Sequence, residues 1–108
     1  MQISADTAAP LKLTGALTIR TVAEVKERLS GLISNNGEVT LEIAETSQVD
    51  LSFVQLIEAA RAYAESCRKT LLLKAPASGG LLDVLTRGGF NDEISSETAK
   101  FWLHRETV

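Results

Sequence analysis

Along this chain the hydrophobic period switches repeatedly between two and about 3.6 residues, and few folds accommodate that alternation. "LKLTGALTI" (Leu11 to Ile19) alternates apolar and polar residues on both sides of Gly15. Period two with a central glycine predicts two short strands separated by a tight turn or bulge. From Thr21 the spacing changes. Val22, Val25, Leu29, Leu32 and Ile33 fall on one helical face, with Glu24, Lys26, Glu27 and Arg28 on the rest. Thr21 and Glu24 have capping-box spacing, and Asn35-Asn36-Gly37 supplies a residue able to accept positive φ at the end. "EVTLEIA" (Glu38 to Ala44) then alternates again, with Val39, Leu41 and Ile43 inward.

After a loop "ETSQ" and Val49, a second helix is expected from about Leu51 to Lys69, burying Phe53, Leu56, Ile57, Ala60, Ala64 and Cys67. "TLLLKA" (Thr70 to Ala75) is a continuous apolar run, which fits a central strand covered on both faces. "SGGLLDVLTRGGF" predicts a third helix with Leu81, Leu82 and Leu85 as its apolar patch and Gly88-Gly89 as its stop. Phe101 and Trp102 are expected to pin a short terminal strand or helix, and a further strand is weakly signalled near Met1 to Ala5. Strands alternating with helices argue for an α/β layer with parallel strand pairs. Three helices on one sheet face suit the length, and 108 residues are expected to form one domain, 1–108.

Several function classes have little material here. Net charge is −3, without the basic stripe of a nucleic-acid binder. Cys67 is the only cysteine and His104 the only histidine. A disulfide framework within the chain is excluded, and a cysteine or histidine metal site is not expected. The lone thiol suits a reducing cytoplasm. No apolar run reaches about 18 residues, so no transmembrane helix is expected. The start "MQISADTAAPLKL" lacks the pattern of a signal peptide. "SGGLL" (Ser78 to Leu82) lacks the Gly-Lys-Ser/Thr ending of a nucleotide cradle and reads as a flexible lead into helix 3, so no cofactor is expected. Cys67 on the apolar face reads as a buried inert thiol, and His104 as a surface residue. No nucleophile–base pair, paired carboxylates or metal-ligand spacing is visible, so no catalytic activity is expected.

One polar cluster stands out: "VDLSFVQL" (Val49 to Leu56), where a strand-like run meets the apolar-faced second helix. Asp50 can cap the orphan N–H groups of that helix, which is the plain structural reading. The same helix start can also serve as a working surface. Ser52 falls in the first turn, where a phosphoryl group would meet the positive end of the helix dipole and add about −1.5 to −2 of charge. A first-turn serine is also ordinary helix punctuation. Gln55 should be exposed with Glu58 and Arg61 nearby, either as a solvated face or as part of a docking surface.

Taken in order, "LTGALTIRTVAEVKERL", "EVTLEIAETSQVD", "LSFVQLIEAARAYAESCRKTLLLKAP" and "LLDVLTRGGF" resemble the STAS domain, the family of anti-sigma-factor antagonists. The resemblance runs from about Leu11 to Phe90 and rests on order and spacing. Its best matches are Leu13-Thr14-Gly15 with Leu17, Val49-Asp50, the apolar helix after them, and Gly88-Gly89-Phe90. It implies a single layer of four to five mixed strands packed against three to four helices. It also implies a non-catalytic domain that docks a partner, an anti-sigma or sensor kinase, through the start of the second helix. On this sequence that surface corresponds to Asp50, Leu51, Ser52 and Gln55. Switchable members carry a Ser or Thr directly after the Asp, which the kinase phosphorylates. Here that position is Leu51, Ser52 follows one place later as the candidate phosphorylation site, and Phe53 stands where a glycine is usual. Gln55-Leu56 and Phe101-Trp102 resemble STAS proteins of bacterial chemotaxis operons. Other small STAS proteins serve as cytoplasmic subunits of lipid-transport complexes, which makes a transporter ATPase the alternative partner.

Overall fold

The computed structural model describes residues 10–88 and 96–104. The strand expected near Met1 to Ala5, and Gly89 and Phe90, lie outside the described residues. The elements are β1 (Leu11–Leu13), β2 (Ala16–Leu17), α1 (Val22–Asn35), β3 (Glu38–Ile43), β4 (Gln48–Val49), α2 (Leu51–Ser66), β5 (Thr70–Leu73), α3 (Gly79–Arg87) and α4 (Ser96–Leu103).

All described strand pairs are parallel. One sheet has the order β1-β3-β5, with Leu11 opposite Leu41 and Val39 opposite Leu71. Gly15, at φ +76°, kinks the chain after β1. The next two residues therefore leave that sheet and pair with β4, placing Ala16 opposite Gln48 and Leu17 opposite Val49. The short pairing β2–β4 was invisible in "ETSQV", because two residues carry no readable period.

The burial of β5 corrects the expectation of a central, doubly covered strand. Among the described residues β3 is central and β5 is an outer strand. Leu71 and Leu73 are buried, but Leu72 between them is 41% exposed. An apolar residue on the open face disguised a period-two strand as a continuous run. Leu11, Leu13, Val39, Leu41, Leu71 and Leu73 form the covered face and join Val25, Leu29, Ile33, Phe53 and Ile57 in one core. The stripe expected on α1 is present: Val25, Leu29 and Ile33 are buried, with Val22 and Leu32 packed beside them. Truncating a residue such as Leu29 to Ala would cost about 2–5 kcal/mol. Helices α1 and α2 lie against this core, while α3 packs on β4 and α2, and α4 on β5. Leu81, Val84 and Leu85 of α3 and Phe101 and Trp102 of α4 join the same core as α1 and α2.

Helix ends differ from expectation in instructive ways. The Thr21 side chain does not cap α1. Its hydroxyl donates to Ala16 O at 2.8 Å and accepts from Thr18 N at 3.1 Å, so it stitches the β2–α1 turn instead. At the other end Asn36 is extended (φ −139°) rather than left-handed. The last carbonyls are met by side chains: Asn35 Nδ2 donates to Gly31 O, Asn36 Nδ2 to Leu32 O, and Lys69 Nζ to both Ile33 O and Ser34 O at 2.7 Å. A lysine there also complements the negative end of the helix dipole.

Helix α2 stops at Ser66, three residues before the expected end. Arg68 at φ +59° then turns the chain into β5. Cys67 is therefore off the helical stripe and exposed, not buried. Val54, which the periodicity did not assign inward, is fully buried with Phe53 and Ile57. The lead into α3 is not a flexible loop. Gly79 sits at φ +57°, and a Cβ there would fall 2.3 Å from Glu45 O; one at Gly80 would fall 2.7 Å from Ser47 O. Both glycines let α3 approach the β3–β4 connection closely. In α3, Leu81, Val84 and Leu85 are the buried residues, with Leu82 only partly so.

The terminal segment is a helix, with Trp102 fully buried and Phe101 nearly so. Trp102 Nε1 donates to Glu58 Oε2 at 2.7 Å, and Trp102 O accepts from Ala77 N at 2.7 Å. His104 is exposed but not idle: at φ +52° it ends α4, with Nε2 2.9 Å from Leu73 O.

Candidate partner-binding site

The start of α2 is built by β4 and by the turn after β2. Parallel pairing brings Asp50 N to Leu17 O at 3.3 Å. Asp50 is extended (φ −124°, ψ 176°), the backbone of an N-cap. Its two carboxylate oxygens serve different segments. Oδ1 accepts from Phe53 N at 3.3 Å, capping α2, and Oδ2 accepts from Ile19 N at 3.0 Å, holding the β2–α1 turn. The capping expected of Asp50 is therefore present, and the second bond was not foreseen.

Leu51 follows with its side chain 44% exposed, Ser52 is half-buried and Gln55 is exposed. All four site residues expected from the sequence thus lie on the first turns of α2 or its cap. A shallow cleft of about 300 Å³ beside them is lined by Val49, Asp50, Leu51, Val84, Arg87 and Gly88. The far end of α3 accordingly borders the site.

Glu58 and Arg61, expected beside Gln55 on an open face, are instead taken up by α4. Arg61 Nη1 lies 2.6 Å from Glu58 Oε2, and the guanidinium stacks 4.6 Å from the centroid of the Phe101 ring. Glu58 and Arg61 are therefore occupied by contacts with α4, while Gln55, Ala59, Ala62 and Tyr63 remain exposed along α2.

Sequence reasoning missed Ile19, Arg20, Val84 and Arg87. Ile19 continues the alternation of Leu13 and Leu17 and looks inward-facing on paper. The strand ends at Leu17, so Ile19 comes to lie on the turn and is 68% exposed. The usable signal was Thr21, whose hydroxyl chemistry favours a turn just before α1.

Both Asp50 oxygens are engaged by backbone donors, and the Ser52 hydroxyl has no hydrogen bond to a described residue. Among the described residues, no group of three or more His, Cys, Asp or Glu gathers to hold a metal ion. No described helix is long and apolar enough to cross a membrane.

The start of α2 is thus an exposed, capped helix N-terminus on a parallel-stranded α/β layer. The family model described as "Mlab, STAS domain" matches residues 1–97, most of the chain, and the protein belongs to the STAS domain family. Domains of this family are generally non-catalytic and regulatory, and they mediate protein–protein interactions. Among curated proteins and among solved structures, none matches the chain at a significant level.

Proposed function

We propose that this protein is a regulatory binding domain of the anti-sigma-factor-antagonist type, which docks a partner kinase or other signalling protein through Asp50, Leu51, Ser52 and Gln55. The observation that carries this reading is Leu51. It occupies the position that is a phosphorylatable Ser or Thr in switchable members, and it presents a large apolar side chain to solvent. Leucine cannot be phosphorylated, so docking through it is constitutive. Ser52 is half-buried and sits at the positive end of α2; in this reading it supports the helix start and does not switch.

Calorimetric titration of the purified partner against wild type, Asp50→Ala and Leu51→Lys tests the proposal. Both variants should bind more weakly, Leu51→Lys by tenfold or more on the scale of an interface hot spot (~1.4 kcal/mol or more). Unchanged affinity in both moves the interface elsewhere. Incubation with an active kinase and ATP should leave the intact mass unaltered; a phosphate on Ser52 would restore the switch.

A second reading is favoured by the family description itself, since the matched model is that of Mlab. A subunit that stabilises a transporter ATPase stays bound and needs no switch, which agrees with Leu51. Co-purification from cells that make the chain separates the two: an ATPase supports the second reading and a kinase the first.

A further inference from the structure

Helices α1 and α2 pack against each other but leave a groove of about 460 Å³ between them. Its floor is apolar. Leu29 and Ile33 of α1 are buried there, and Leu56 and Ala60 of α2 are partly buried. Ser30 on α1 and Ala59 on α2 also line it, and both are too short to fill the space between the helices. A space of this size, mostly apolar with few polar groups, has the dimensions of a small-ligand site.

The two ends of the groove differ. At the Ile33 end, Tyr63 reaches from α2 to α1, with its hydroxyl 3.3 Å from Ser34 Oγ. The bridge closes that end. At the other end stands Lys26, seven residues before Ile33, which is roughly 10 Å along the helix. Lys26 is exposed and makes no ion pair with a described residue. It is the only charged residue among those lining the groove. Glu24 and Glu27, its neighbours on α1, do not line it. On α2, Glu58 is held by Arg61 and by Trp102 Nε1, and Glu65 lines a separate cleft against β5. An apolar trough with one closed end thus carries a single ammonium group at its open end.

We propose that this groove binds a small anionic amphiphile, a linear apolar chain that ends in a carboxylate. The chain lies along Leu29, Ile33, Leu56 and Ala60, and the carboxylate meets Lys26. At about 1.2 Å of reach per bond, a chain of about eight to ten atoms spans the two turns from Lys26 to the Tyr63 bridge. The site goes beyond the docking reading and does not depend on it, since Asp50, Leu51, Ser52 and Gln55 do not line the groove. Two other occupants fit less well. A partner helix laid along the groove would have to part the Tyr63 and Ser34 hydroxyls to run past that end. A second copy of the chain, presenting the same groove, would cover Lys26 without offering it a carboxylate.

The test titrates octanoate, well below its micelle concentration, into the isotope-labelled full chain and follows the amide resonances by NMR. Saturable shifts should be confined to residues 26–34 and 56–63. Lys26→Met should weaken octanoate about fivefold, the scale of a partly exposed ion pair, and leave the affinity for octanol unchanged. Ala59→Phe, which puts a ring into the groove, should weaken both ligands tenfold or more. Both positions are exposed, so the fold should survive, as circular dichroism would verify. If Ala59→Phe nonetheless misfolds, Lys26→Met and the wild-type titration still decide. The absence of a saturable shift at millimolar octanoate overturns the site, and so do shifts centred on Leu72 or on the start of α2. Octyltrimethylammonium binding as tightly as octanoate, or indifference to Lys26→Met, overturns the anionic head group. Self-association in sedimentation that Ala59→Phe abolishes would give the groove to a second copy and overturn the proposal.

Discussion

Two glycine-to-alanine substitutions in this protein should act with opposite sign. Gly31 lies inside α1, exposed, and a Cβ added there would meet nothing within 4 Å. Alanine there removes the backbone entropy penalty of a helical glycine and should stabilise the fold by about 0.5–1 kcal/mol. Gly79 differs on both counts. Its φ of +57° disfavours an L side chain by about 1–2 kcal/mol. A Cβ at 2.3 Å from the Glu45 carbonyl oxygen also forces backbone apart, and overpacking costs typically about 1–3 kcal/mol. Gly79→Ala should therefore destabilise by about 2–5 kcal/mol. With a urea m-value of about 2 kcal/mol/M, the midpoint falls by about 1–2.5 M, against a rise of up to about 0.5 M for Gly31→Ala. Urea unfolding followed by Trp102 fluorescence reads both, since that ring is fully buried. A Gly79→Ala protein as stable as wild type would mean that α3 does not lie against the β3–β4 connection, and the cleft between Leu51 and Arg87 would lose its support.

Other outcomes follow from the same contacts. Trp102→Phe keeps most of the ring but removes the donor to Glu58, and should cost about 1–2 kcal/mol by thermal melting, against about 3–5 for Trp102→Ala. Asp50→Ala removes the acceptor for Phe53 N and Ile19 N and should lower stability by about 1–2 kcal/mol. Asp50→Asn, which keeps a capping oxygen, should lose less. Lys69→Met strips the ammonium from the Ile33 and Ser34 carbonyls and should cost about 1 kcal/mol, with the difference shrinking in high salt.

The long elements were readable because each repeats its period several times. Val25, Leu29 and Ile33 on α1, and Val39 and Leu41 on β3, needed only spacing. The Asp50 cap was readable because its chemistry is local. What escaped was set by contacts distant in sequence. The β2–β4 pairing depends on the bend at Gly15. The exposure of Cys67 depends on where α2 gives way to β5, and that of Leu72 on which sheet face receives helices. Thr21 had the right spacing for a capping box, yet Ala16 O competed successfully for its hydroxyl. At the site, Asp50, Leu51, Ser52 and Gln55 share one short stretch and could be named together. Ile19 reaches them only through a hydrogen bond spanning 31 positions.

The central claim is that a partner covers the start of α2. Hydrogen–deuterium exchange of the chain, alone and saturated with its purified partner, tests this most directly, because the amides of Ile19 and Phe53 both report on Asp50. The account predicts new protection over residues 17–20 and 50–55, with α4 unaffected. Protection confined to α4 and the outer strand β5, with the α2 start exchanging as in the free chain, would contradict it.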